Sequence, residues 1–291
     1  CAVHFPFHNR EAAMPRADVN GIEIEYETFG PEDAPAVLLI NGLGSQMTRW
    51  PVPFCEKLVA RGYRVIRFDN RDVGRSTWFA SGDRYTLSDM AADAAALLDH
   101  LTIDKAHVAG VSMGGMIAQT VAIEHPSRVL SLTSIMSATG APGTMDATPE
   151  AAAILTQVAP DPTVDEEAFV AHGMKNARTI GSPGYPWSDE ALRERVLSEM
   201  RRAYNPKGVQ RQRGAIGASG DRTEKLSQLD VPTVVLHGEA DPLIPKAGGE
   251  ATARAIPGAE LHIIPGMGHD LPEALYDTII DAIVAAAERA R

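Results

Sequence analysis

Ser112 lies in the run Gly110-Val111-Ser112-Met113-Gly114-Gly115, a G-x-S-x-G pattern whose flanks give it meaning. Ala106-His107-Val108-Ala109 before it is short, β-compatible and largely apolar. The stretch after it, from Met116 to Ile123, has helical composition. A glycine-flanked serine between a strand and a helix is the setting of a nucleophile elbow, a strained turn that presents the hydroxyl at the carboxyl end of a strand. The glycines are needed because side chains two positions away would collide with neighbouring backbone. An ordinary βα turn could carry the same letters; the strand and helix on the correct sides favour the elbow.

A serine hydroxyl attacks a carbonyl only when a base takes its proton. That base is normally a histidine oriented by a carboxylate. Nine histidines are available. His4 and His8 lie near the N-terminus, His100, His125 and His172 on or at the ends of helices, and His107 and His262 at the starts of strands, the wrong edge of a parallel sheet. His237 closes a strand and competes, although a histidine there more often bonds beneath a site than acts in it. His269 follows a strand end and the glycine loop Pro265-Gly266-Met267-Gly268, ahead of a helix opened by Pro272, and is the predicted base. The acid should leave another strand. Residues 233–237 read as that strand and Gly238-Glu239-Ala240-Asp241-Pro242 as its exit turn, which makes Asp241 the predicted acid and Glu239 its local rival. Met136-Ser137-Ala138, after the preceding strand, offers no carboxylate.

A tetrahedral intermediate also needs two N–H donors. The predicted pair is the backbone of Met113, directly after the serine, and of Leu43, in the loop Asn41-Gly42-Leu43-Gly44. The glycines let that backbone approach the substrate oxygen, and the Asn41 side chain is expected to brace the loop.

Parallel strands with their carboxyl ends together would position these residues. Val19-Asn20-Gly21-Ile22 signals a hairpin, and Ile22, Ile24 and Tyr26 alternate with Glu23, Glu25 and Glu27, so the first strands should be antiparallel with one wet face. Continuous apolar runs at 36–40, 63–68, 106–111, 129–136, 233–237 and 261–264 suit strands covered on both faces. Helical segments at 53–61, 87–100, 113–124, 246–255 and 272–289 alternate with them. The class is therefore α/β, a mostly parallel sheet with helices on both faces. Residues 138–224 break the alternation with helices at 149–158, 165–178 and 188–204, the last two capped by Asp165 and Ser188. They predict a helical cap inserted after the sixth strand of a core made of 14–137 and 225–291. Tyr185 and Trp187 from the cap, with Gly42 from the core, are the candidate substrate pocket.

The chain has 291 residues, 44% hydrophobic and 22% charged, which suits one large globular domain with an inserted lobe. A net charge of −11 argues against a nucleic-acid binder, and no apolar run approaches the length of a membrane span. The two cysteines, Cys1 and Cys55, make neither a disulfide framework nor a metal cluster; Cys55 should be a buried apolar group in a helix. No metal site, phosphate loop or nicotinamide fingerprint stands out, so no cofactor is expected. Residues 1–13 read as an extension ahead of Met14-Pro15-Arg16, which looks like a natural start. A cytoplasmic location is the default, with lipid anchoring through Cys1 as the alternative.

On these motifs the chain resembles the α/β-hydrolase superfamily from about Val19 onward, including its order Ser112, Asp241, His269. Phe68-Asp69-Asn70-Arg71-Asp72-Val73-Gly74-Arg75-Ser76 looks like the family's loop after the fourth strand, whose Asp and Arg organise structure. Within the superfamily the chain is most similar to bacterial carboxylesterases of the aclacinomycin methylesterase type, on Asn41-Gly42-Leu43-Gly44, Trp50-Pro51, the serine motif and Pro265-Gly266-Met267-Gly268-His269. It departs where the oxyanion loop commonly begins His-Gly and here begins Asn-Gly. The resemblance implies a cofactor-free serine hydrolase that cleaves a small-molecule ester through an acyl-enzyme. A lactonase, C–C bond hydrolase, perhydrolase or acyltransferase would use the same triad. A ligand receptor or interaction scaffold on the same fold would keep the residues without fast turnover.

Overall fold

The computed structural model describes residues 14–290, so the extension 1–13 and any role of Cys1 lie outside the described residues. β1 (Arg16–Val19) and β2 (Ile22–Phe29) form the expected hairpin. Asn20 and Gly21 turn it at φ +50° and +77°, the left-handed values that a primed turn needs. The outer face of β2 is drier than the alternation suggests. Glu25 and Glu27 are buried and paired with Arg202 and Arg67, because a distant helix and the neighbouring strand cover them.

β3 (Ala36–Ile40), β4 (Arg64–Phe68), β5 (Ala106–Val111), β6 (Val129–Ile135), β7 (Thr233–Gly238) and β8 (Glu260–Ile264) complete an eight-stranded sheet. Its order is β1-β2-β4-β3-β5-β6-β7-β8, antiparallel at β1/β2 and β2/β4 and parallel from β4 to β8. β3, β4 and β7 are buried at every position, as apolar runs covered on both faces should be. β8 is not: it is the sheet's last strand and Leu261 is 38% exposed.

Along β3 the side chains alternate between two cores. Val37 and Leu39 pack with α1 (Val52–Ala60) and α10 (Tyr276–Glu288); Leu38 and Ile40 pack with α2 (Leu87–His100) and α3 (Met113–Glu124). Cys55 is buried in the first of these cores. α10 starts later than Pro272 suggests, because residues Glu273–Leu275 form a separate 3-10 turn.

Between β6 and β7 lie α4 (Pro149–Ile154), α5 (Glu166–Ile180), α6 (Asp189–Arg202), α7 (Pro206–Ser219) and α8 (Thr223–Leu226), with no strand; α9 (Lys246–Ala255) follows β7. Asp165 and Ser188 cap α5 and α6 by accepting the Ala168 and Ala191 amides at 2.9 and 3.2 Å. Sequence reading missed α7. Gly208, Gly214 and Gly217 lower its intrinsic propensity, although Asn205 and Pro206 are proper start signals.

The inserted helices dock on loops that leave the carboxyl ends of strands. Gln46, after β3, donates through Nε2 to the carbonyls of Glu199 and Ala203 at 2.7 and 2.9 Å. Arg202 pairs with Asp69 and Arg211 with Asp72, both after β4. The Gly184 amide donates to the Gly266 carbonyl, after β8, at 2.9 Å.

Candidate active site

Strand register brings the predicted residues together. Ile40 of β3 lies opposite Gly110, Val111 opposite Ile135, Ile135 opposite Leu236, and Gly238 opposite Ile264. β3, β5, β7 and β8 therefore end at one edge, and the loops carrying Leu43, Ser112, Asp241 and His269 leave from it.

Ser112 has φ +57° and ψ −122°, a strained conformation for a residue with a side chain. The crossing of strand, turn and helix holds it there. A Cβ on Gly114 would come within 2.2 Å of the Ile40 carbonyl oxygen, and one on Gly110 within 2.0 Å of the Gly114 oxygen. Only glycine permits that approach. Ser112 N donates to the Ile135 carbonyl at 2.9 Å, and the Ser137 hydroxyl donates to the Ser112 carbonyl at 2.8 Å.

His269 Nε2 is 2.9 Å from Ser112 Oγ, and its Nδ1 is 2.6 Å from Asp241 Oδ2. An ionised carboxylate has no proton to give, so Nδ1 carries the hydrogen and Nε2 is free to accept from the serine. Asp241 is 5% exposed, and its Oδ1 accepts the amides of Leu243 and Ile244, each at 2.9 Å. Glu239 donates its backbone amide to the Ile264 carbonyl and contributes no side chain to this relay. His237 is fully buried beneath the site, with Nε2 at 2.7 Å from the Ile244 carbonyl and at 3.7 Å from Asp241 Oδ2. Burial pulls its pKa below the usual histidine value.

Gly42 faces the nucleophile: a Cβ on it would lie 3.1 Å from Ser112 Cβ and 3.6 Å from Oγ. Leu43 follows on the same loop and Met113 opens α3. Among the described residues no hydrogen bond engages the amide of either. The expected bracing by Asn41 is not found. Asn41 is fully buried, and neither Nδ2 nor Oδ1 has a partner among the described residues. The loop is held instead by Asn70, which donates to the Asn41 carbonyl at 3.1 Å, and by Gln212. Gln212 Oε1 accepts the Gly44 amide at 2.8 Å while Nε2 donates to the Arg71 carbonyl at 2.9 Å. Asp69 accepts the Met47 and Arg75 amides and Arg71 pairs with Asp93, the structural roles expected of that loop.

The histidine loop has a second support that sequence reasoning also missed. Ser182 donates to Asp270 and accepts the Gly268 amide at 2.9 Å, and the His269 amide donates to the Ile180 carbonyl at 2.6 Å. Trp187 is half-buried and donates through Nε1 to Asp270 Oδ2 at 2.9 Å. Burial raises the Asp270 pKa against these hydrogen bonds. Tyr185 packs with the core between the sheet, α1 and α10 and lies 3.8 Å from the position a Gly266 Cβ would take. The two aromatic pocket candidates thus sit against the loop that carries His269.

The chain belongs to the alpha/beta hydrolase fold family, whose model matches residues 35–273. It is 33% identical to rhodomycin D methylesterase of Streptomyces peucetius, covering 94% of this chain and 98% of that one. Among solved structures, a meta-cleavage product hydrolase from Pseudomonas fluorescens superposes with a TM-score of 0.77 at 20% identity, covering 95% of this chain and 98% of that one. The enol-lactonase from Burkholderia xenovorans superposes with a TM-score of 0.71 at 26% identity, covering 94% of this chain and 100% of that one. The α/β class read from the alternation of strands and helices is the observed one.

Proposed function

We propose that the chain is a serine hydrolase of carboxylic esters that works through an acyl-enzyme without a cofactor. His269 takes the Ser112 proton as Oγ attacks the ester carbonyl. Asp241 holds the ring in the correct tautomer and stabilises the imidazolium that forms. The amides of Met113 and Leu43 donate to the oxyanion. Collapse of the tetrahedral intermediate breaks the bond to the alcohol, which leaves with the proton from His269. A water, deprotonated by the same His269, attacks the acyl carbonyl. The second collapse returns the proton to Ser112 and releases the acid.

The observation that carries this reading is the relay from Ser112 through His269 to Asp241, at 2.9 and 2.6 Å. The similarity to a methylesterase over nearly the whole chain favours an ester with a small alcohol. A lactone is the second reading, favoured by the likeness to an enol-lactonase, since ring opening uses the same steps and retains the alcohol in the product. The helices of residues 138–224 act in this account as a cap, with Tyr185, Trp187 and Gly42 bordering the pocket for the acyl group. Buried Cys55 fits a reducing compartment such as the cytoplasm, and no helix among the described residues is long and apolar enough to cross a membrane.

A screen of methyl esters, activated esters of graded chain length, lactones and amides tests the reading, with product analysis in water and with peroxide added. Ester hydrolysis that disappears in Ser112→Ala is expected. Faster lactone opening than ester cleavage would transfer the assignment to the second reading, and no turnover of any member would contradict both.

A further inference from the structure

Arg195 is a half-buried cation whose buried Nε has no acceptor among the described residues. Other buried or half-buried arginines have partners: Arg64 the Glu32 carbonyl, Arg67 Glu27, Arg71 Asp93, Arg202 Glu25 and Asp69, Arg211 Asp72, and Arg222 Gln119 and the Ala138 carbonyl. Arg195 makes no hydrogen bond and no ion pair among the described residues, and its Nε is buried without a partner. Its guanidinium carbon lies over the Trp187 ring, 5.3 Å from the centroid. Burial pulls its pKa down to about 10. A buried guanidinium N–H without a partner is rare in proteins and calls for an explanation, of which a bound ligand is one.

Its position says which ligand. Arg195, Glu199 and Arg202 follow one face of α6 at helical spacing. Glu199 is bound to Arg49 and Arg202 to Gln46, both after β3, so this face is turned to the carboxyl edge of the sheet. On the other side Trp187 is fixed to Asp270, the neighbour of His269. The guanidinium therefore lies between the loop that carries Leu43 and the loop that carries His269. Asp270, Glu199, Arg49 and Tyr276 are its charged and ionisable neighbours. Neither carboxylate is hydrogen-bonded to Arg195, and each is engaged elsewhere. Both Asp270 oxygens accept, from Ser182 and Trp187, and both Glu199 oxygens accept from Arg49.

We propose that Arg195 is a specificity-determining residue that binds an ionised carboxylate on the substrate, so the preferred esters carry a second, free carboxylate besides the scissile bond. The planar guanidinium, backed by the Trp187 ring, matches a carboxylate with two parallel hydrogen bonds. The inference rests on the ester-hydrolase reading for the identity of the reacting group, and on Arg195 alone for the anion.

Two measurements test it. The first compares kcat/KM for monomethyl esters of straight-chain dicarboxylic acids with that for the matching dimethyl esters. The wild type should favour the half-esters. In Arg195→Met that preference ratio should fall by roughly ten- to hundredfold, the worth of a lost charge-assisted hydrogen-bond pair. Arg195→Lys, which keeps the charge but not the fork, should retain part of it and serves if the Met variant does not fold. The second measurement is calorimetric binding of the same half-esters to Ser112→Ala and to Ser112→Ala with Arg195→Met, which needs no turnover. Binding to the first and not the second supports the proposal. A ratio unchanged by substitution, a wild-type preference for the diesters, or absent or equal binding in the calorimeter overturns it. Failure to hydrolyse any ester would count against the hydrolase reading alone, since the calorimeter still decides on Arg195.

Discussion

At the scale of single residues the account turns on which groups touch the reacting atoms. Asp241→Asn should lower kcat by roughly a thousand- to ten-thousandfold, because an amide facing Nδ1 favours the wrong tautomer. Glu239→Gln should be mild, since its side chain takes no part in the relay. Steady-state kinetics with circular dichroism checks both, and the opposite ranking in folded proteins would move the acid to Glu239. His269→Ala should be nearly as damaging as Ser112→Ala, about a thousandfold or more, because the two act as a unit. An active His269→Ala beside an inactive His237→Ala would contradict the assignment. Ser112, Asp241 and His269 were legible because each follows a strand end in a glycine-bearing turn, a local signal. Asn41 was misread: its type suits a brace, yet both polar atoms are unpartnered. Ser182 and Asp270 gave no signal, since their bond spans 88 positions of sequence and only folding joins them.

At the scale of elements, α7 supports the oxyanion loop through Gln212. Gln212→Ala should lower kcat more than it raises KM, because a displaced Leu43 amide loses contact with the oxyanion rather than with the ground state. Equal effects on both parameters would reduce Gln212 to general packing. The same helix is fastened by Arg211 to Asp72, whose carboxylate also accepts from Tyr85 and the Phe79 amide. Burial pushes the Asp72 pKa up, but hydrogen bonds from Arg211, Phe79 and Tyr85 outweigh it, so the value lies below the ordinary 3.8. A depressed acid contributes stability above its unfolded pKa and loses it as pH falls through the folded value. Asp72→Asn should cost about 3 kcal/mol at neutral pH by leaving Arg211 unpaired. Urea unfolding should show the gap between wild type and variant constant above about pH 4 and shrinking below it. A gap that widens in acid would reverse the sign. α7 itself escaped sequence reading because three glycines masked a helix that tertiary bonds stabilise. The wet face expected for β2 failed for a related reason: Arg202, far along the chain, covers Glu25.

At the scale of the molecule, the parallel sheet gathers four strand ends, and the helices between β6 and β7 bond to the loops leaving that edge. The mostly parallel sheet with helices on both faces was within reach of the alternating pattern, whereas how the inserted helices meet the core was not, since their docking runs through polar side chains on long loops. If these helices act as the cap proposed above, they should select substrates by size. Trp187→Ala should shift the chain-length profile of ester hydrolysis more than the melting temperature, and an unchanged profile beside a large loss of Tm would make Trp187 a packing residue. The central claim is that Ser112 becomes acylated. Intact-protein mass spectrometry with peptide mapping after treatment with a fluorophosphonate tests it most directly. The account predicts a single adduct on the peptide containing Ser112, absent from Ser112→Ala and formed far more slowly in His269→Ala. An adduct on another residue, or one that persists in Ser112→Ala, would contradict it.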